Sequence, residues 1–218
     1  MPLIDDLAGY WDHYAAGVAD ETPEQALKDA FGWTQYPGHG PGDELLGDPA
    51  TTLELGFGRG SAVAALATKG IDATGIDIGD AWCRRAKDTW GHLPGARFEH
   101  GDVLSFLAGT GQHWETIYSI FGAFWFTDPE LLLPLIRARL APGGKLVFSQ
   151  APAVPGSYGI QGMYGNGFTG RKTWIYRWAY EPDDWTAILR QHGFHDISAR
   201  IHPAPDPGNV GTLLIEAH

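Results

Sequence analysis

Residues 52–61 read Thr52-Leu53-Glu54-Leu55-Gly56-Phe57-Gly58-Arg59-Gly60-Ser61. Residues 51–55 are short, apolar and tolerant of a strand. After the glycines, Ala62, Val63, Leu66 and Ala67 recur at helical spacing, and Gly70 closes that helix. Three glycines at alternate positions let the backbone turn sharply and leave no side chain between it and a ligand. A strand, a glycine-rich turn and a helix in succession form a seat for a nucleotide or cofactor. Glu54 narrows the choice. A dinucleotide turn needs Gly-x-Gly-x-x-Gly, because a pyrophosphate sits over the helix N-terminus. Here the third glycine comes one residue early, and Ser61 stands where that pattern has its last glycine. A carboxylate at the strand end suits a cationic ammonium group instead.

The alternation continues outward from this unit. Residues 73–78 read as a second strand ending at Asp77, seventeen residues beyond Gly60, where a doubly wound fold presents an acid to ribose hydroxyls. A helix over 79–90 follows, then a third strand over 96–100 with Asp102 just beyond it. A fourth strand over 113–120, a helix over 129–140, the Pro142-Gly143-Gly144 turn and a fifth strand over 145–150 come next. Residues 151–180 break the pattern, with six glycines among Tyr158, Tyr164, Phe168, Trp174, Tyr176, Trp178 and Tyr180. That stretch is too glycine-rich for one helix and too aromatic for a disordered linker, so an inserted cap is expected. A helix starting at Pro182, a strand over 197–201 and a last strand over 211–217 complete the chain. On the N-terminal side, Leu3, Leu7, Tyr10, Trp11 and Tyr14 give residues 3–16 an amphipathic helix with an aromatic end, expected to pack on the main domain. Thr22 and Pro23 start a second helix running to Phe31. The loop over 32–42 then carries Trp33, Tyr36 and His39 between glycines and prolines.

The set Glu54, Gly56, Gly58 and Gly60 resembles motif I of the class I S-adenosylmethionine-dependent methyltransferases, Glu/Asp-x-Gly-x-Gly-x-Gly. The Arg-Leu-x-Pro-Gly-Gly-x-Leu run over 139–146 also looks like that family. The resemblance covers residues 50–150 well and the tail loosely. It implies an α/β fold, a doubly wound, Rossmann-like seven-stranded sheet whose last strand is antiparallel. A single methyltransferase domain would then comprise an N-terminal helix and loop cover at 1–50, a cofactor-binding core at 51–150, an aromatic-rich insert after strand five at 151–180, and a C-terminal helix and hairpin at 181–218. The implied cofactor is S-adenosyl-L-methionine, with Asp102 hydrogen-bonding the adenine amine. Phe57, Ile78, Val103 and Phe121 complete the expected cofactor set around Glu54, Gly56, Gly58, Gly60, Asp77 and Asp102. Two rival readings are a nicotinamide-dependent oxidoreductase and a non-catalytic adenosylmethionine-binding interaction protein.

Composition limits the partners. A net charge of −11 and a pI near 5.1 argue against a nucleic-acid binder, which needs a basic stripe, and against an anionic membrane surface. The single cysteine, Cys83, excludes an intramolecular disulfide framework, and the nine histidines form no His-Glu-x-x-His pair. No metal is expected. With no charged-then-apolar leader and no run of about 18 apolar residues, the expectation is a cytoplasmic protein acting on a small molecule; subunit number is left open. The fourth strand runs into Tyr118-Ser119-Ile120-Phe121-Gly122-Ala123-Phe124-Trp125. It lacks the Asn/Asp-Pro-Pro-Tyr/Phe of enzymes methylating nucleic-acid bases and the acid of metal-dependent catechol-type enzymes. Against the family's pattern, that implies a metal-independent enzyme. His39 is the candidate general base, since a histidine titrates near neutrality. Trp33, Tyr36, Trp125, Gln150, Tyr164 and Trp174 are expected to form the pocket of a small, largely apolar or aromatic acceptor.

Overall fold

The computed structural model describes residues 7–164 and 174–218, residues 163, 164 and 174 by their backbone alone. Helices α1 (Leu7–Gly17) and α2 (Pro23–Lys28) precede a 3-10 turn (Asp43–Leu46) and the first strand, β1 (Thr51–Leu55). Helix and strand then alternate through α3 (Ser61–Thr68), β2 (Asp72–Asp77), α4 (Asp80–Trp90), β3 (Ala96–His100), α5 (Val103–Gly109) and β4 (Trp114–Ile120). Next come α6 (Ala123–Phe126), α7 (Pro129–Arg139) and β5 (Leu140–Gln150). A hairpin of β6 (Gly159–Tyr164) and β7 (Trp174–Ala179) precedes α8 (Pro182–Gln191), β8 (Ser198–His202) and β9 (Thr212–Ala217).

Seven strands form one sheet in the order β3-β2-β1-β4-β5-β9-β8. The first five are parallel, while β9 lies antiparallel between β5 and β8, with Phe148 opposite Ile215 and Ile201 opposite Leu213. The doubly wound expectation with an antiparallel last strand is met. Period-two alternation explains why both faces are covered. Ile117, Leu146, Phe148, Leu213 and Ile215 enter one apolar layer, with Leu132, Ile136 and Trp185 of α7 and α8. Tyr118, Val147 and Leu214 enter the other, with Val63, Trp82 and Trp90 of α3 and α4. The chain leaves β1 toward β2 and β3 and returns to β4, so the strand order reverses beside β1. Doubly wound sheets bind their ligands at the carboxyl edge of such a reversal.

Local chemistry starts the helices where the elements demand it. Thr22 Oγ1 accepts the Gln25 N–H at 3.3 Å and Pro23 takes the first helical position of α2. Asp128 Oδ1 accepts the Glu130 N–H at 3.0 Å at the start of α7. Four elements differ from expectation. The helix α2 ends at Lys28 rather than Phe31, with the Asp29 N–H bonded back to the Gln25 carbonyl. The helix α5 was not foreseen; Asp102 starts it by accepting the Ser105 N–H at 2.9 Å. Strand β5 starts at Leu140, which pairs with Trp114 across a register shift, so Pro142-Gly143-Gly144 lies inside the strand at an irregularity. The aromatic run after β4 closes into the single turn α6, because Ser119 Oγ accepts the Phe124 N–H at 3.3 Å. The inserted cap is a two-stranded hairpin, and β7 packs on α6. Among the described residues no helix is long and apolar enough to cross a membrane.

Candidate active site

A cavity of about 660 Å³ opens at the carboxyl edge of β1, β2 and β4. Its inner end is acidic. Glu54 and Asp77 are only 4 % and 8 % exposed, and both line the cavity with Asp102. Asp77 is oriented by two backbone donors: Oδ2 accepts the Gly58 N–H at 2.9 Å and Oδ1 the Gly79 N–H at 2.8 Å. Burial raises the Asp77 pKa, and these two bonds oppose the shift. Glu54 stands opposite Tyr118 in register and accepts its hydroxyl proton at 3.2 Å. Burial pushes the Glu54 carboxyl well above its ordinary value, with the Tyr118 hydrogen bond opposing and the nearby Asp77 charge adding. Buried carboxylates without a cationic partner are costly, and the raised pKa of each expresses that cost as a preference for the neutral form.

The three glycines of the turn do different work. Gly56 has φ of +81°, and a Cβ there would lie 2.4 Å from the Ala123 nitrogen. Gly60 likewise faces the Phe98 ring and does not line the cavity. Only Gly58, with φ of +52°, has open space where a Cβ would stand, on the cavity side. The seat for a ligand is therefore narrower than three clear glycines imply. The other two keep the turn against its own protein.

Much of the remaining wall is aromatic. From α1, Tyr10, Trp11 and Tyr14 reach the cavity; from the turn after β4, Phe121, Trp125 and Phe126 meet them. Trp11 sits edge-on to Phe126 at 4.9 Å between ring centroids and to Tyr10 at 5.0 Å. Trp125 contacts Phe126 at 5.1 Å and Phe121 at 6.1 Å. Ile175 of β7 adds an apolar wall. Phe121 takes φ of +48°, a conformation costly for a large side chain, as its N–H is held at 3.0 Å by the Ser149 carbonyl. Phe124 turns the other way and stacks on Phe148 at 3.8 Å, so the run over 121–126 is part wall and part core.

Of the residues singled out from sequence, Glu54, Gly56, Phe57, Gly58, Asp77, Ile78, Asp102, Val103, Phe121 and Trp125 line this cavity. His39, Trp33, Tyr36, Gln150 and Gly60 do not. Gln35, Tyr36 and His39 of the loop over 32–42 bond to the β8–β9 hairpin instead, and Gly32 is the loop residue that lines the cavity. His39 Nε2 lies 2.9 Å from the Pro203 carbonyl and its ring 5.1 Å from that of His202. Tyr36 donates its hydroxyl to the Val210 carbonyl at 2.7 Å. Trp33 is fully buried against Tyr118 and donates to the Gly42 carbonyl at 2.9 Å. Gln150 is fully buried and donates to the Trp178 carbonyl at 2.9 Å. The side chains of Tyr164 and Trp174 lie outside the described residues.

All nine histidines are described and none lines the cavity, nor does Cys83. Burial pushes the Cys83 thiol up to about 12. Tyr10, Trp11 and Tyr14 are among the wall residues that sequence reasoning did not assign there. Their signal was the aromatic end of the first helix, in which only Ala15 is buried. Rings on a helix that buries so little need another surface to cover.

A family model described as a methyltransferase domain matches residues 19–199. The trans-aconitate 2-methyltransferase of Delftia acidovorans is 36 % identical over 97 residues, 43 % of this chain and 35 % of the relative. That of Variovorax paradoxus is 34 % identical over 113 residues, 49 % of this chain and 42 % of the relative. The chain thus spans about two-fifths of the length of the curated relatives it matches. Among solved structures, a DhpI complex with S-adenosylhomocysteine superposes with a TM-score of 0.66 at 17 % identity, covering 99 % of this chain and 96 % of the other. The 1,6-didemethyltoxoflavin-N1-methyltransferase of Burkholderia thailandensis, with 1,6-didemethyltoxoflavin and S-adenosylhomocysteine bound, gives 0.64 at 18 % identity, covering 100 % and 90 %. At those identities the likeness is one of fold.

Proposed function

The chain belongs to the methyltransferase-domain family, and from that membership we propose that it binds S-adenosylmethionine in this cavity and transfers the methyl group to a small, largely apolar or aromatic acceptor. One observation carries the reading: the buried acids at the ends of β1 and β2 and the rings of α1 and of the turn after β4 line a single cavity. The cofactor supplies a methyl on a sulfonium, which leaves as a neutral thioether. The protein's part is to bind, align and exclude water, and alignment alone is worth on the order of 7–11 kcal/mol. Asp77, held by the Gly58 and Gly79 amides, is pre-oriented to accept from ligand hydroxyls. Glu54 suits a cationic group, and Gly58 keeps the approach open. The rings of α1 and α6 keep the transfer region dry while adding no anion beside the dispersing positive charge.

The described cavity wall contains no histidine, lysine or cysteine, so the groups left to take a proton from the acceptor are the wall's carboxylates and Tyr10 and Tyr14. Trans-aconitate, named for the relatives, carries three carboxylates. The described wall offers Glu21, Asp29, Glu54, Asp77 and Asp102 against the single cation Arg59, itself paired with Glu21 at 2.8 Å. That balance favours an acceptor other than a polyanion. Metal-independent chemistry is part of the proposal, because the turn after β4 offers Phe121 and Gly122 to the cavity rather than oxygen ligands. So are a single domain over 1–218 and a cytoplasmic setting, on the acidic composition and lone cysteine; that acidity also speaks against nucleic acid as the acceptor. Calorimetric titration tests the core of it: S-adenosylhomocysteine should bind one to one at micromolar or lower Kd, and NADH should not. The opposite preference overturns the proposal in favour of an oxidoreductase.

A further inference from the structure

Strands β1 and β4 lie side by side, and Glu54 and Tyr118 are partners in that register. Their side chains share one face of the sheet, where the Tyr118 hydroxyl donates to Glu54 Oε2 at 3.2 Å. Glu54 lines the cavity and Tyr118 does not. Among the described residues Tyr118 is the one fully buried tyrosine. Val147 and Leu214 enter the same apolar layer, and the Trp33 ring packs on Tyr118 at 6.2 Å between centroids. Trp33 is itself fixed by donating to the Gly42 carbonyl at 2.9 Å.

A phenylalanine would fill an apolar layer of this kind, and a buried hydroxyl is costly unless it is bonded. Packing therefore gives no reason for the hydroxyl, whereas Glu54 does. Burial drives the Glu54 carboxyl toward its neutral form, and the Asp77 charge at the end of β2 adds to that. The Tyr118 hydroxyl from β4 and the Val63 amide from α3 act in the opposite direction. Both donors are uncharged, so they support a carboxylate without neutralising it. The one cation of the described cavity wall, Arg59, pairs with Glu21 at 2.8 Å. The acid is thus held by neutral donors on the protein side and faces the cavity with its charge unpaired.

We propose that Tyr118 is a positioning residue for cofactor binding, its hydroxyl fixing Glu54 as the acceptor for the ammonium group at the amino-acid end of S-adenosylmethionine. This rests on the methyl-transfer reading above and assigns one group of the ligand to one acid. Without the hydroxyl, Glu54 loses its side-chain donor, stays neutral over a wider pH range and holds the ammonium less well.

The test titrates the full chain with S-adenosylhomocysteine and with its deaminated form, in which hydrogen replaces the amino group. The native protein should bind the first at least about tenfold more tightly, the scale of one charge-assisted hydrogen bond. Tyr118→Phe keeps the ring and should cut that ratio by about threefold or more, with the deaminated ligand within about twofold of native. The pH at which S-adenosylhomocysteine binding strengthens should move upward in the same variant. In a Glu54→Gln background the tyrosine substitution should change neither affinity. A measurement on the native protein needs no variant to fold: the Tyr118 hydroxyl proton, identified by its cross-peaks to its own ring, should shift with S-adenosylhomocysteine and not with the deaminated form. The proposal is overturned, while cofactor binding stands, if the native protein does not prefer the amino ligand or the hydroxyl proton does not discriminate the two. It is equally overturned if Tyr118→Phe leaves the ratio and pH profile unchanged or weakens both ligands alike. Failure of the native protein to bind S-adenosylhomocysteine at all removes the methyl-transfer reading, and this one with it.

Discussion

The acidic and aromatic ends of the cavity are built in opposite ways. Glu54, Gly58, Asp77 and Asp102 come from three consecutive strand-to-helix turns within about fifty residues, and each is placed by its own strand in the sheet. The rings come from residues 10–14 and 121–126, and Ile175 of the hairpin adds an apolar side chain. They meet only because α1 and the hairpin fold over the sheet edge. Sheet register therefore fixes the cofactor end, whereas packing between separate segments makes the acceptor end. Substitutions at the first should act on cofactor affinity and those at the second on acceptor kinetics.

The largest effect tests that division inside the glycine turn itself. Gly58→Val should abolish binding of S-adenosylhomocysteine in a folded protein. Positive φ costs a non-glycine residue roughly 1–2 kcal/mol, a tolerable share of a domain stability of about 5–15 kcal/mol. The new side chain would occupy the open cavity side. Gly56→Val should instead fail to fold, since its Cβ meets backbone at 2.4 Å. Circular dichroism and calorimetry separate the two, and a folded Gly56→Val that binds normally would break the comparison.

At the next level, Asp77→Ala should weaken S-adenosylhomocysteine at least tenfold, because charge-assisted bonds are worth about 1.5–3 kcal/mol each. Trp11→Ala should leave that affinity within a few-fold and raise the acceptor KM. Equal losses of cofactor affinity in both variants would mean that the two ends are one structural unit.

Proton linkage gives a smaller effect. The folded-state pKa of Glu54 lies well above 4.5 because of burial. Its contribution to stability is therefore fully present below the unfolded carboxylate range and is lost as pH rises through the raised value. A cationic ligand favours the ionised form, so binding of S-adenosylmethionine should release a proton and strengthen as pH rises through that same range. Calorimetry in buffers of different ionisation enthalpy measures the release, and Glu54→Gln should remove it. Proton uptake on binding would contradict the assignment.

The smallest effect is expected at His39. His39→Ala should leave kcat and cofactor affinity within about twofold while lowering Tm by a few degrees, because the ring anchors its loop to the Pro203 carbonyl and His202. A hundredfold loss in kcat without a loss of stability would return it to the chemistry.

The chain by itself determined the sheet and the acidic end of the cavity. Strand periodicity, the Glu54–Gly60 turn and an acid after each of three strands are local features, and a parallel sheet brings their carboxyl ends to one edge whatever else packs around it. Asp102 was legible as an acid beyond β3, although its role in starting α5 was not, because a capping bond needs the helix to exist first. Tertiary structure alone decided the acceptor wall and the place of His39. Tyr36 and His39 bond to carbonyls more than 160 positions away, and Trp11 meets Phe126 across the domain. A ring or an imidazole in a glycine-rich loop carries the same local signal whether it faces a cavity or a hairpin. Which surface it covers depends on the bonds and apolar area that the folded chain offers within reach, and no spacing within the segment encodes that.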